Sequence, residues 1–232
     1  RTVALDKGQR KILVKEAGVI TPRFVVAHSV DAIPDHTLRY PLFVKPLSGR
    51  GSAGIDETNI IRKAEDLPAV VKKITEGIGQ PALIEEFIQG KELTVGLIKT
   101  QDPQTLPIVE IGYTFGQTNT FEHKMLDQEQ ITCPAILSEA LVDLIHEQVL
   151  LVWKTLAILD FGRIDLILDE HNVPYFLEVN TFAGLTYPDQ SDGSHIGYMG
   201  YMAKTAGLSQ TQFLSSIIES ALQRYPFLDK RH

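Results

Sequence analysis

Apolar and polar positions alternate most clearly near the centre of the chain. The run Gly162-Arg163-Ile164-Asp165-Leu166-Ile167-Leu168-Asp169 predicts a strand, and Tyr175-Phe176-Leu177-Glu178-Val179-Asn180-Thr181 predicts a second. The short polar turn Glu170-His171-Asn172 joins them as a hairpin. Before it, Leu141, Leu144, Ile145, Val149, Val152 and Leu156 make a helical stripe, predicting a helix over Ser138 to Leu159. Ile12, Leu13 and Ala17 predict an opening helix that stops at Gly18, with Asp6 as its cap. Short strands are expected at Phe24-Val25-Val26, Tyr40 to Pro46, Ala82 to Phe87, Glu92 to Lys99 and Leu106 to Tyr113. A polar helix is expected from about Ala64 to Glu76, and two more helices near Tyr198 to Ala206 and Gln210 to Tyr225. Thr114 to Pro134 and Thr181 to Gly197 read as long loops. Many strands, some meander-like, with scattered helices argue an α+β fold.

Alternation also carries chemistry. Arg163 and Asp165 share one face of the first hairpin strand, and Glu178 and Asn180 share one face of the second. If the faces coincide, a guanidinium, two carboxylates and an amide converge. Such oxygen donors suit a hard cation such as Mg2+, which often carries nucleotide phosphates. The bland alternative is a hairpin with a wet outer face. Against it, Ile167 and Phe176 are expected on the same faces as the polar quartet, which a solvated surface rarely carries.

The 232 residues are 44% hydrophobic and 22% charged, which is ordinary globular composition with ample length for a core. The net charge of -7, with no basic stripe, argues against nucleic acid as a partner. No apolar run of about 18 residues spans a membrane. The single cysteine, Cys133, reads as a small core residue and fits a reducing, cytoplasmic setting. The chain opens Arg1-Thr2-Val3 without methionine, as expected of a piece of a longer protein.

Three further segments have weaker meaning alone. Ser48 to Gly54 is glycine-rich and follows a strand ending in Lys45. Its amides could cradle a phosphate, though a plain flexible loop fits equally. Glu85 and Glu86 end an apolar strand, with Glu92 seven positions after Glu85. Such acids can meet an adenine amine and ribose hydroxyls, or simply lie on the surface. Lys124, beside His123, could swing onto a γ-phosphate from a long loop, or remain solvated.

Taken in order, these segments resemble the ATP-grasp superfamily, and within it the D-alanine–D-alanine ligase family. Leu5-Asp6-Lys7 opens the match, followed by Ala17-Gly18-Val19-Ile20-Thr21-Pro22 and Phe43-Val44-Lys45-Pro46. Leu83-Ile84-Glu85-Glu86-Phe87 and Glu92-Leu93-Thr94-Val95 come next, then His123-Lys124, both hairpin strands and Gly184-Leu185-Thr186. The resemblance implies two α+β subdomains gripping ATP between antiparallel sheets. Residues 1–100, with the opening helix 5–18, would form the small subdomain, and 101–232 the large one with the metal site. It implies an ATP-dependent carboxylate–amine ligase, working through an acyl phosphate on amino acids or similar carboxylate and amine substrates, with a place in peptidoglycan (cell-wall) synthesis. Lys7 and Lys45 would contact ATP phosphates. Glu85, Phe87 and Ile88 would line the adenine pocket, and Glu92 would bind ribose. Lys124 would meet the γ-phosphate. Asp165, Glu178 and Asn180 would hold two Mg2+ ions, or Mn2+. Arg163 and the Gly184 amide would stabilise the oxyanion of the tetrahedral intermediate.

Departures from the family pattern concern the substrates. The family's amino-terminal domain, which helps bind the first D-alanine, is expected either in a missing part of a longer protein or to be replaced by a wall from another chain. Met125 stands where a tyrosine often follows the loop lysine. Asn180-Thr181-Phe182-Ala183-Gly184-Leu185-Thr186 replaces the usual Asn-Thr-Ser-Pro-Gly-Met-Thr. The acceptor-gripping serine has only Ser191 and Ser194 as candidates. A homodimer is compatible with the family. An ATP-binding fragment or regulatory module without turnover is the alternative expectation.

Overall fold

The computed structural model describes residues 6–48, 56–113, 129–188 and 197–225. They form two antiparallel sheets. The first contains β1 (Phe24–Ala27), β2 (Leu42–Pro46), β3 (Ile60–Ile61) and β4 (Ala82–Glu86), in the order β1-β4-β2-β3. Helix α2 (Leu67–Lys72) runs on through a wider turn to Ile78, and Gly79 ends it at φ 73°. That left-handed stop suits a residue without Cβ. Val71 and Ile74 of this segment are fully buried in the core that also holds Val44, Ile61 and Ile84.

The second sheet is built on β5 (Gly90–Lys99) and β9 (Phe161–Asp169). β10 (Pro174–Asn180) flanks β9, while β7 (Val109–Tyr113) and β8 (Glu129–Thr132) extend the other side. A short β6 (Pro103–Thr105) also pairs β5. One face carries α3 (Glu139–Thr155), whose Ile145, Val149, Val152 and Trp153 meet Leu93, Val95, Ile164 and Leu166. The opposite face is shared. Part of it packs α4 (Tyr198–Thr205) and α5 (Gln210–Gln223) through Met199, Met202 and Phe213, and the rest bears the hairpin's polar residues. Among the described residues no helix is long and apolar enough to cross a membrane.

Several expectations need correcting. Helix α1 (Lys7–Glu16) exists, and Asp6 caps it by accepting from the Gln9 amide, but it faces the other way round. Ile12 and Leu13, the expected apolar stripe, are exposed, while Lys7, Arg10, Lys11 and Val14 point inward. Those four recur at i, i+3, i+4 and i+7, so the buried face is cationic. The division at residue 100 also shifts. Strand β5 pairs with β9 over nine positions, so the chain changes sheet at Phe87–Gln89. Nor does α1 serve the first sheet alone, since Val14 lies in the α3 core. Within the expected 114–134 loop, β8 pairs with β7. Cys133 is half-buried and packs against the core that holds Met199, Met202 and Phe213, in keeping with its reading as a small core residue.

The hairpin holds the most telling difference. Its turn forms as predicted: Asp169 Oδ1 accepts from the His171 and Val173 amides, and Asn172 takes φ 59°. Along β10, however, the register slips by one residue between Phe176 and Glu178. Phe176 opposes Leu166 and Glu178 opposes Asp165, leaving Leu177 as the extra residue of a bulge. Phe176 therefore turns into the core with Val179 and is fully buried, not beside the polar quartet as strict alternation implied.

Candidate nucleotide and metal site

Three neighbouring strands bring the polar quartet together. Asp165 lies opposite Thr94 of β5 on one side and Glu178 of β10 on the other, and Asn180 lies opposite Arg163. Asp165 is buried and accepts two hydrogen bonds on each carboxylate oxygen. Arg163 grips it with both forks, Nε to Oδ1 at 2.8 Å and Nη2 to Oδ2 at 2.9 Å. Thr94 Oγ1 donates to Oδ1 at 2.6 Å, and Asn180 Nδ2 to Oδ2 at 2.7 Å. Burial alone would weaken the Arg163 charge, but Asp165 outweighs it and holds the guanidinium above its ordinary pKa. The Tyr198 ring lies 4.9 Å from that guanidinium.

A second cluster adjoins the first. Lys7, Arg10 and Lys11 of α1 meet Lys45 of β2 and Glu85 of β4. Glu85 is shared, with Oε1 lying 2.6 Å from Lys45 Nζ and Oε2 3.0 Å from Lys11 Nζ. The second contact is an ion pair without hydrogen-bond alignment. Lys11 also donates to Thr21 Oγ1 at 2.8 Å and to the Phe176 carbonyl at 3.4 Å. Arg10 Nη1 donates to the Val179 carbonyl at 2.7 Å. Lys7 Nζ lies 3.4 Å from the Pro46 carbonyl and 3.8 Å from Glu178 Oε2, which joins the two clusters.

Burial would raise the Glu85 pKa, but Lys11 and Lys45 overcome it and bring it down to about 2. Burial lowers Lys11 to about 8, against the pull of Glu85. It also lowers Lys7 and Arg10. Lys45 goes the other way, because Glu85 and Glu178 together outweigh its desolvation. Four cations thus surround two carboxylates. That surplus of buried positive charge suits a polyanion.

The structure brings Lys7, Lys45, Glu85, Asp165, Glu178, Asn180 and Arg163 into this joined region. Glu92 lies on the same face of the sheet as Thr94, opposite Ile167. Phe87, expected beside adenine, packs its ring 6.4 Å from Phe43. Phe87 and Ile88 line a cavity of about 840 Å³ with Leu141, Leu168 and Asn172. Glu85 is not on that cavity's wall. Its two oxygens face lysines, so it reads as their counter-ion rather than as an adenine acceptor. Gly184 is exposed and backs onto Gly197, where a Cβ would come within 2.4 Å of the Gly184 oxygen. Lys124, Met125, Ser191, Ser194 and residues 49–54 of the glycine-rich segment lie outside the described residues.

The donor set fits Mg2+. Asp165, Glu178 and Asn180 offer hard oxygens. Because Asn180 gives Nδ2 to Asp165, its carbonyl oxygen remains as the ligand end. Among the described residues no group of three or more His, Cys, Asp or Glu side chains offers a rival centre.

Paired antiparallel sheets with this site between them define an ATP-grasp protein. Residues 13–219 match the family described as D-ala D-ala ligase C-terminus, and the chain belongs to that family. It is 32% identical over 225 residues to the uncharacterized protein y4sG of Sinorhizobium fredii, covering 95% of this chain and 63% of that protein. It is 32% identical over 219 residues to the D-alanine–D-alanine ligase of Nitrosomonas europaea, covering 94% and 67%. The chain therefore spans about two thirds of these relatives. In fold it is similar to the D-alanine–D-alanine ligase of Bacillus anthracis solved with ATP. The TM-score is 0.74 at 23% identity, over 95% of this chain and 67% of that one.

Sequence reasoning missed Thr94, Arg10, Lys11 and Tyr198. Thr94 was recoverable, because it alternates with Glu92 and so shares its face. Lys11 and Arg10 were hidden by assigning Ile12 and Leu13 to the buried stripe. Tyr198 carries no local signal.

Proposed function

We propose that this chain is the ATP-binding and catalytic part of an ATP-dependent carboxylate–amine ligase, similar in chemistry to D-alanine–D-alanine ligases. A carboxylate substrate attacks the γ-phosphate of ATP, giving an acyl phosphate and ADP. An amine then attacks the acyl carbon, and phosphate leaves as the tetrahedral intermediate collapses to the amide, the amine having lost a proton. The observation that carries this reading is the 3.8 Å approach of Lys7 to Glu178, which joins the cation cluster to the carboxylate–amide patch. Phosphates and their metal would need both at once.

Each residue then has a task. Lys7 and Lys45 hold phosphate oxygens, and Lys124 reaches the γ-phosphate. Phe87 and Ile88 offer apolar contact to the base, and Glu92 accepts from ribose hydroxyls. Two Mg2+ ions, or Mn2+, held by Asp165, Glu178 and Asn180 supply charge that neutralises the phosphates. Arg163 spends Nε and Nη2 on Asp165, which leaves its Nη1 amino group for a developing oxyanion. The Gly184 amide is the second donor. Removing one such donor costs roughly 100- to 1,000-fold in rate. The substrates are amino acids or close relatives, and cell-wall precursor synthesis is the setting this chemistry fits.

The test is ADP release by the purified protein with ATP, Mg2+ and single amino acids, D-alanine first. ADP that forms only when both ATP and an amino acid are present is the expected result. Tight ATP binding with no ADP in any mixture would leave a binding module instead.

A further inference from the structure

Lys11 is fully buried, and the reading above gives it no task. It sits one helical turn after Lys7 and reaches both sheets. Its ammonium meets Glu85 of β4, the Thr21 hydroxyl and the carbonyl of Phe176 in β10. The rings of Phe24 and Phe176 lie 5.9 and 6.0 Å from it. A buried ion pair is a poor way to gain stability, since apolar residues of similar size often do as well or better. Packing alone therefore does not explain this lysine.

The charge arithmetic does. Lys45 touches Glu85 at 2.6 Å. A lysine and a carboxylate alone would form a neutral pair with little attraction for a phosphate. Lys11 occupies the other oxygen of the same carboxylate. The triad Lys11–Glu85–Lys45 then keeps one net positive charge. We propose that Lys11 is a positioning residue that serves as the counter-charge of Glu85, so that the charge of Lys45 is free for a nucleotide phosphate. This rests on the ATP-binding reading of the site and deepens it. Lys11 touches no ligand itself, because it is fully buried, paired with Glu85 and donating to Thr21 and Phe176.

The effect should be large. A unit charge about 7 Å from a phosphate, at an effective dielectric of about 20, corresponds to roughly 50-fold in affinity.

The experiment measures Kd for MgATP by calorimetry on four purified proteins, with folding checked by circular dichroism. They are wild type, Lys11→Met, Lys11→Gln and the double variant Lys11→Met with Glu85→Gln. Both single variants leave Glu85 to neutralise Lys45, and each should bind roughly 50-fold more weakly. The double variant removes that carboxylate charge as well and should regain at least tenfold over Lys11→Met, although it has lost more native contacts. A merely structural lysine predicts the reverse, with the double variant as weak as the singles or weaker. That result, or single variants that bind like wild type, overturns the proposal. If neither single variant folds, the double variant, in which Lys45 keeps the more distant Glu178 as its nearby carboxylate, decides alone. Binding within about fivefold of wild type supports the proposal, and a 50-fold loss overturns it. Wild type that binds no MgATP would instead refute the nucleotide site.

Discussion

Asp165→Asn is the sharpest probe of the hairpin site. Asp165 accepts four hydrogen bonds, at 2.8 and 2.9 Å from Arg163, 2.6 Å from Thr94 and 2.7 Å from Asn180. An asparagine keeps one acceptor oxygen, and its amide nitrogen would face donors. The Arg163 and Asp165 side chains are only 15% and 11% exposed, so water can make up little of the loss. Removing one member of a buried pair typically costs about 3–5 kcal/mol, and hydrogen bonds to charged groups are worth about 1.5–3 kcal/mol each. Allowing for the residual exposure, the variant should lose about 3 kcal/mol. For a chain of this size that lowers Tm by roughly 6–12 °C. Trp153, the only tryptophan, is buried in α3 against this sheet and reports unfolding in urea. Replacing both partners, Arg163→Met with Asp165→Leu, strands neither charge. Its loss should fall short of the sum of the two single variants by at least about 2 kcal/mol. A loss under about 1 kcal/mol for Asp165→Asn, with single losses that simply add, would refute the view that this pair organises the patch.

Two other outcomes are expected. Gly200→Ala places a Cβ 2.0 Å from the Thr186 carbonyl oxygen, so it should lower stability by about 1–3 kcal/mol, whereas Gly112→Ala, with nothing nearer than 3.5 Å, should not; equal Tm values for the two would contradict the packing of α4 on the Gly184 segment. Glu85 is held near 2 against an ordinary 4.5, so its contribution is full above about pH 4.5 and disappears as pH falls towards 2. Over that window wild type should lose up to about 3 kcal/mol more than Glu85→Gln, and parallel pH profiles would show that Glu85 is not so held.

Strand period made much of this site legible. Arg163, Asp165, Glu178 and Asn180 could be paired from alternation alone, because a regular ladder gives every second residue the same face. The bulge at Leu177 was invisible, since neither glycine nor proline marks it and alternation cannot announce its own exception. It left Glu178 and Asn180 as expected and moved only Phe176. Helix α1 failed for another reason. Hydrophobic stripes identify buried faces when burial is driven by apolar area, and here Lys7, Arg10 and Lys11 are drawn in by Glu85, Glu178 and the carbonyls of Phe176 and Val179. Those acceptors lie 74 to 171 residues away, beyond any local window. The sheet exchange at Phe87–Gln89 escaped notice because β4 and β5 look like one hairpin in sequence.

Helix α1 also bears on how wide the gap between the layers can be. Its Lys7 amide is bonded to Leu47 beside the first sheet and its Arg10 to Val179 in the second, while Lys11 reaches into both. Swinging the layers apart about Phe87–Gln89 would tear charge-assisted bonds on one side or the other and leave ions in a dry interior. The spacing that a nucleotide would meet is therefore set by the ligand-free chain, and an arriving ligand need not impose it.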